Sequence, residues 1–216
     1  MKKVTVFGGG TGMPALLKGL KEFPLDITSV VSVCDDGKST GKLRREFNIP
    51  AVGDIRRVII SLSETEPLMG KILNYRFSSN SELNEHTVGN LFLTAGTQIT
   101  GNLSDSIKSI SKVLNLKGKI IPFSEDNIVL SAIMEDGSVV NSEHHITNSP
   151  LKIKKVYYEK EPEICDEVFD AIDESDLIIL SIGSLYTSII PNLLSKKIIE
   201  KLDKTSAKIM YVCNMV

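Results

Sequence analysis

No stretch that would anchor or export the chain is expected from these residues. No apolar run approaches the ~18 residues of a membrane-spanning helix. Val4–Phe7 is too short an apolar stretch to follow Met1, Lys2 and Lys3 as a secretory leader. Positive charge is not in excess either. The 25 Lys and Arg against 27 Asp and Glu leave a formal charge of −2, which excludes a broad basic surface for nucleic acid. Cysteine is scarce and irregular. Cys34, Cys165 and Cys213 are odd in number and have no zinc-ligand spacing, so neither a disulfide framework nor a zinc motif is expected. What remains is an ordinary globular composition, expected in the cytoplasm with reduced thiols, and 216 residues are ample for a buried core.

Against those absences stands a concentration of glycine. Val4-Thr5-Val6-Phe7 runs into Gly8, Gly9, Gly10 and Gly12, and Met13, Leu16, Leu17 and Leu20 follow at helical spacing. The pattern predicts strand, tight turn and helix. Residues 10–15 fit G-x-G-x-x-A, a permitted form of the dinucleotide fingerprint, in the required strand-to-helix context. Backbone amides freed at such a turn favour a phosphate. A glycine-rich turn without a ligand is the plain alternative. Ile27–Cys34 reads as a strand buried on both faces, and its end delivers Asp35 and Asp36 to the same crevice, where a ribose-binding carboxylate is expected.

Gly37-Lys38-Ser39 resembles the tail of a P-loop, but Ser32 stands where that motif needs glycine, so a Walker A site is rejected. The segment 37–45 is expected to be a basic, hydroxyl-rich loop able to clamp an anion. Asp54 is expected to N-cap a helix over Ile55–Ser63, and Arg56 in its first turn opposes the helix dipole, which suggests an anionic partner or pairing with Asp54. His86 and Asn90 lie four apart and share a face if their helix starts early. Short strands over 119–158, with a hairpin at Asp136-Gly137, suggest an antiparallel β insertion. His144 and His145 would sit in a strand and face opposite ways, which disfavours a metal there. The α/β pattern then resumes. A strand ending at Ser181 opens into Gly183, Ser184, Tyr186, Thr187 and Ser188, a second glycine–hydroxyl turn over the crevice, and Lys208–Cys213 is a last parallel strand.

Phe7–Gly12, Asp35–Arg44, Gly53–Arg56, His86–Asn90 and Gly183–Leu194, in that order and spacing, resemble the gluconeogenesis factor family of bacteria, relatives of the 2-phospho-L-lactate transferases of deazaflavin cofactor synthesis. The resemblance covers essentially the whole chain. Two positions depart from it: Lys38 stands where glycine is usual, and Ile182 where proline is usual. It implies one Rossmann-like three-layer α/β/α domain over 1–216, with a mainly parallel sheet and a small antiparallel β insertion. Family members usually continue beyond the strand that ends at Asn214, so a C-terminal part of the domain is expected to be missing.

The resemblance implies a nucleotide-linked ligand. In the favoured reading the protein senses a UDP-sugar and is tied to cell shape and wall synthesis, as a homo-oligomer with a wall-synthesis protein partner. Gly9, Gly10, Thr11 and Gly12 would hold the diphosphate, and Asp35 and Asp36 would take hydroxyls or a Mg²⁺ ion. Ser39, Thr40, Gly41 and Arg44 would close over the anion, and Gly183, Ser184, Tyr186 and Thr187 would complete the site. Gly53, Asp54, Arg56, His86, Asn90 and Asn192 are the further ligand-facing positions of the matching stretches, and Asn214, at the end of the last strand, is expected to join them. The alternative is a transferase acting on a GDP-linked donor, with Mg²⁺ held by Asp35 or Asp36 and charge absorbed by Arg44 or Arg56. An NAD(P) dehydrogenase is the third reading. It explains the first 36 residues but not the loop after them or the second glycine turn.

Overall fold

The structure, a computed structural model, describes residues 1–64, 67–78 and 80–214. Its frame is a five-stranded, all-parallel sheet in the order β3-β2-β1-β7-β8. These strands are β1 (Lys2–Gly8), β2 (Leu25–Val31), β3 (Lys119–Pro122), β7 (Leu177–Leu180) and β8 (Lys208–Tyr211). Val4, Thr5, Val6 and Phe7 are all buried, because β1 is covered on both faces. The chain steps outward from β1 to β2 and β3, then returns to β7 and β8 on the other side. This reversal makes a topological switch point beside β1, and ligands of open parallel sheets bind beyond the carboxyl ends there.

The helices around the sheet are α1 (Gly12–Leu20), α2 (Lys38–Phe47), α3 (Gly53–Leu62), α4 (Pro67–Asn74), α5 (Val88–Thr100), α6 (Leu103–Val113), α8 (Asp166–Glu174) and α9 (Lys196–Lys204). Steps β1→β2 and β7→β8 run in opposite directions, so right-handed crossovers put α1 and α9 on opposite faces. Accordingly α1 packs with α3, and α9 with α8. An antiparallel sheet in the order β5-β4-β6 is inserted between β3 and α8, from β4 (Leu130–Met134), β5 (Val139–Asn141) and β6 (Ile153–Tyr158). The short helix α7 (Glu143–Thr147) joins β5 to β6. After β7 come a π-turn, Leu185–Ile189, and a 3₁₀ turn, Ile190–Leu193.

Four sequence expectations change. Residues 119–122 form β3 of the parallel sheet, paired with β2, so the antiparallel insertion begins only at β4. The expected loop at 37–45 is mostly helix α2. Its inward face is Ser39, Thr40, Leu43 and Arg44, too polar for hydrophobic periodicity to reveal. Asp54 is not an N-cap: α3 begins at Gly53 behind Val52, and the Asp54 side chain reaches out of the helix. His144 and His145 lie in α7, because strand β5 stops at Asn141.

Cys34 is buried at the end of β2, and burial pushes its thiol up to about 11, so it stays protonated and packs as a small apolar group. Two glycines of α1 separate packing from propensity. A Cβ on Gly12 would lie 2.1 Å from the Ile182 carbonyl oxygen, whereas one on Gly19 would meet nothing within 4 Å. Gly12→Ala should therefore lower stability by about 1–3 kcal/mol. Gly19→Ala should raise it by about 0.4–1 kcal/mol. Urea denaturation of both variants checks the opposite signs.

Candidate functional site

The N-terminal ends of α1, α2, α3 and α5 meet beyond the carboxyl ends of β1 and β2, and the π-turn after β7 closes the third side. At the first glycine turn Gly10 adopts φ +69°, a left-handed conformation that glycine tolerates. Its amide does not face open space. It donates to Asp54 Oδ2 at 2.6 Å, and Arg57 Nη1 binds Asp54 Oδ1 at 2.5 Å. A carboxylate of the protein thus already takes the amide of this glycine turn. Burial, reinforced by the charge of Asp35, raises the Asp54 carboxyl above the usual range despite both bonds.

The second wall is built on Asp35. Its Oδ1 accepts from the Gly37 amide and its Oδ2 from Thr40 Oγ1, each at 3.0 Å. Asn90 Nδ2 donates to Ser39 Oγ at 3.1 Å and to Thr40 Oγ1 at 3.4 Å, while His86 Nδ1 lies 3.1 Å from Ser39 Oγ. Helix α5 begins at Val88, capped by the Thr87 hydroxyl, so His86 precedes it yet meets the same serine as Asn90. Burial, then Lys42, lowers the His86 pKa, favouring the neutral ring. Gly53 is held by space: a Cβ there would lie 2.5 Å from both Asp35 Oδ2 and Thr40 Oγ1.

These walls enclose two adjoining compartments. One, of about 200 Å³, carries Lys38, Arg56, Arg57 and Arg76 beside Asp35, Thr40, Gly53, Asn90 and His144. Arg56 is 6 % exposed. Its Nη1 binds Asn74 Oδ1 at 2.6 Å, but its Nε has no partner. Burial, then the like charges of Arg57 and Arg76, pull its pKa down to about 10. Such crowding of positive charge around a cavity is what an anion would relieve. Lys38 enters α2 at φ +42°, the backbone region in which a glycine would be at ease. The other compartment, of about 160 Å³, is lined by Gly10, Ser32, Asp35, Asp54, Arg57, Glu143, Thr187 and Ser188. Asp35 and Arg57 belong to both. The crevice is therefore cationic in one half and rich in carboxylates and hydroxyls in the other.

Of the residues singled out in the sequence, Gly10, Asp35, Ser39, Thr40, Gly53, Asp54, Arg56, Asn90 and Thr187 line this crevice, and His86 stands behind Ser39. Gly9 and Gly183 pack at its base, where Cβ atoms would meet Asp54 and Ser188. Others serve elsewhere. Asp36 Oδ1 accepts from the His144 amide at 2.9 Å. Gly12 and Gly41 allow close backbone packing against Ile182 and Asp36. Asn192 braces the π-turn through the Ser188 carbonyl, at 2.8 Å, and Tyr186 packs on the core. Thr11 and Ser184 are exposed, and Asn214 follows β8 outside both compartments.

Arg44 is the clearest departure. It is 5 % exposed and donates to the carbonyls of Cys34 (3.1 Å), Asp35 (3.0 Å) and Ile128, and to Asn127 Oδ1 at 2.9 and 2.6 Å. Its donors are spent on the fold, not aimed at an anion. Asp35 and Asp36 also turn apart, and among the described residues no three His, Cys, Asp or Glu side chains stand together as metal ligands. Arg76, Ser32, Glu143 and His144 are site-facing residues that the sequence did not reveal. Each lies outside the glycine-rich stretches and arrives through tertiary folding.

Two variants probe this wiring. A carboxyl whose folded pKa is raised favours folding at low pH, and that contribution is lost as pH rises through the folded value. Asp54→Asn, which cannot ionise, should therefore raise the urea midpoint at pH 8 more than at pH 4. Arg44→Met should cost more than about 2 kcal/mol, because several buried carbonyls lose their donor. Chemical denaturation across pH reads both.

The family model described as "2-phospho-L-lactate transferase CofD" matches residues 4–216. The protein named gluconeogenesis factor in Bacillus subtilis is 48% identical over 217 residues, covering 99% of this chain and 68% of that protein. The gluconeogenesis factor of Halalkalibacterium halodurans is 45% identical, covering 100% of this chain and 67% of that protein. A crystal structure of a Bacillus halodurans protein superposes with a TM-score of 0.95 at 45% identity, covering 99% of this chain and 69% of that one. The chain thus spans about two thirds of the length of these relatives. It belongs to the 2-phospho-L-lactate transferase CofD family, and the curated relatives it resembles there carry the name gluconeogenesis factor.

Proposed function

We propose that this chain binds a nucleoside diphosphate carrying a sugar, with a UDP-sugar as ligand and regulation, rather than turnover, as its output. The observation that carries the reading is the junction of two unlike compartments at the carboxyl ends of β1, β2 and β7. The diphosphate suits the half bearing Lys38, Arg56, Arg57 and Arg76. Sugar or ribose hydroxyls suit the half bearing Asp35, Glu143, Thr187 and Ser188. Arg44 has no place among the ligand contacts in this reading; it holds Asp35 in position. Likeness to proteins named gluconeogenesis factors supports a role in carbon metabolism. The link to cell shape and wall synthesis, with cytoplasmic residence, a homo-oligomer and a wall-synthesis partner, belongs to the same reading. Among the described residues no helix is long and apolar enough to cross a membrane.

The second reading, group transfer from a nucleotide diphosphate donor, is favoured by the family description and by Asp35 beside Asp54. Magnesium sites commonly combine one or two carboxylates with substrate phosphates. Asp35 and Asp54, rather than Asp35 and Asp36, are the pair that would face an ion arriving with a diphosphate. NAD(P) binding draws no support from the cationic compartment.

A thermal-shift panel of UDP-GlcNAc, GDP and NAD, each with and without Mg²⁺, separates the readings. The sensor predicts stabilisation by UDP-GlcNAc with no product formed. The transferase predicts a GDP response that needs Mg²⁺, with GDP released from an activated lactyl donor. A response to NAD alone would overturn both. Arg57→Ala, which strips a cation from both compartments, should weaken UDP-GlcNAc binding at least about tenfold, the loss expected for a charge-assisted hydrogen bond. Calorimetric titration measures it.

A further inference from the structure

The antiparallel insertion sends one element to the crevice. Helix α7 is tied to the loop after β2 by the His144 amide on Asp36 Oδ1, at 2.9 Å, and it packs on the π-turn after β7. It therefore spans two of the three walls. Its consecutive residues divide between the compartments: Glu143 lines the hydroxyl-rich half and His144 the cationic half. The backbone reaches this position through Ser142, at φ +85° and ψ 131°, a conformation rare for a residue with a Cβ.

We infer that Glu143 is the specificity-determining residue for the non-phosphate end of the ligand, accepting hydrogen bonds from its hydroxyl or amide groups. The inference rests on the nucleotide reading and deepens it. Three observations carry it. Glu143 lines the smaller compartment together with Thr187 and Ser188, so a polar group entering there meets a carboxylate acceptor and hydroxyls side by side. Its carboxylate is met by hydroxyls alone, Thr147 Oγ1 at 2.9 Å on Oε1 and the Thr187 side chain beside it, and among the described residues it makes no ion pair. The adjoining compartment independently calls for an anion: Arg56 is 94 % buried by its 6 % exposure, and its Nε is unpartnered.

A ligand that spans both halves must then be anionic at one end and rich in hydrogen-bond donors at the other. A bare diphosphate end would be repelled by Glu143, Asp35 and Asp54, whereas sugar hydroxyls would pair with them. Burial, with the charges of Asp35 and Asp54 adding to it, raises the Glu143 carboxyl despite the hydroxyls of Thr147 and Thr187. The β insertion thereby acquires a role: it distinguishes a sugar-bearing nucleotide from the free nucleotide.

The test is calorimetric titration of UDP-GlcNAc and of UDP into the wild-type chain, Glu143→Gln and Glu143→Ala, with and without Mg²⁺. Gln keeps the shape and can still accept from Thr147, so this variant guards against misfolding of α7, and the thermal midpoint of each variant checks it. The expected result is that Glu143→Ala weakens UDP-GlcNAc about tenfold or more while UDP binds as before or more tightly. Glu143→Gln should fall between. Equal losses for both nucleotides, or no loss for UDP-GlcNAc, would overturn the assignment. So would a loss of UDP binding seen only with Mg²⁺, which would make Glu143 an ion ligand. If the wild-type chain binds neither nucleotide, the nucleotide reading itself fails, an outcome distinct from any difference among variants.

Discussion

A buried guanidinium holds the crevice together. Arg44 lies on the inner face of α2, and its donors end on the Cys34 and Asp35 carbonyls, on Asn127 and on the Ile128 carbonyl. These partners belong to the segment after β2 and to the segment that leads into β4. A charged group so deep is costly unless every donor is met, and burial already lowers its pKa. The arrangement is therefore nearly all-or-none. Strand end, helix and insertion must come together at once, and when they do, the Asp35 backbone is pinned. Its side chain is then free to take the Gly37 amide and Thr40, and from Thr40 the network runs to Asn90, Ser39 and His86.

The second organising feature is an imbalance of charge over a short distance. Positive groups from α2, α3 and the segment after α4 gather in one compartment, and carboxylates from the segment after β2, α3 and α7 gather in the next. Within a folded chain like charges cost stability, and nothing about packing requires them here. Asp54 partly reconciles the halves by bonding both Gly10 and Arg57. It stands where a ligand phosphate would otherwise find an amide and a cation. A ligand would have to share or displace that carboxylate, so affinity would be tuned by a group belonging to the protein. Local stability given up at a site in this way is a common companion of binding.

The insertion fits the same logic. The three-stranded antiparallel sheet packs Leu130, Ala132, Met134 and Val156 into the same core as the parallel sheet, and it is also tethered at several points. Arg44 fixes its entry, Tyr158 donates its hydroxyl to the Pro191 carbonyl, and Asp36 receives α7. The tethers through Arg44 and Asp36 lie beside Asp35 and α7, so the sheet acts as a frame that positions α7. Asp36, expected as a ligand carboxylate, serves this frame instead, while its neighbour Asp35 faces the cavity. Alternation along an extended segment sends adjacent side chains to opposite sides, and the two acidic residues divide accordingly.

Much of the architecture could be read along the chain. The apolar run of β1, the glycines after it and the leucine spacing of α1 announce a strand–turn–helix unit, because each depends on local backbone freedom and on a period of two or 3.6 residues. The same holds for the buried runs of β2 and β7 and for the Asp136–Gly137 hairpin, where Gly137 adopts φ +86°. Helix α2 escaped such reading because its buried face is made of hydroxyls and an arginine, residues whose burial depends on distant partners. Long-range pairing was equally silent: nothing local places Lys119–Pro122 beside β2, or separates it from the antiparallel strands that follow. The site divides along the same line. Glycines and the acidic pair mark a crevice at the strand ends in one dimension. Only three-dimensional packing assigns Arg44 to the fold and Arg57 to both compartments, and brings Arg76 and Glu143 to the crevice from remote segments. Sequence by itself determined where the backbone could turn and which faces must be buried, since those are local constraints. The tertiary structure decided which charges meet, because a side chain's electrostatic role depends on neighbours that the chain supplies from far away.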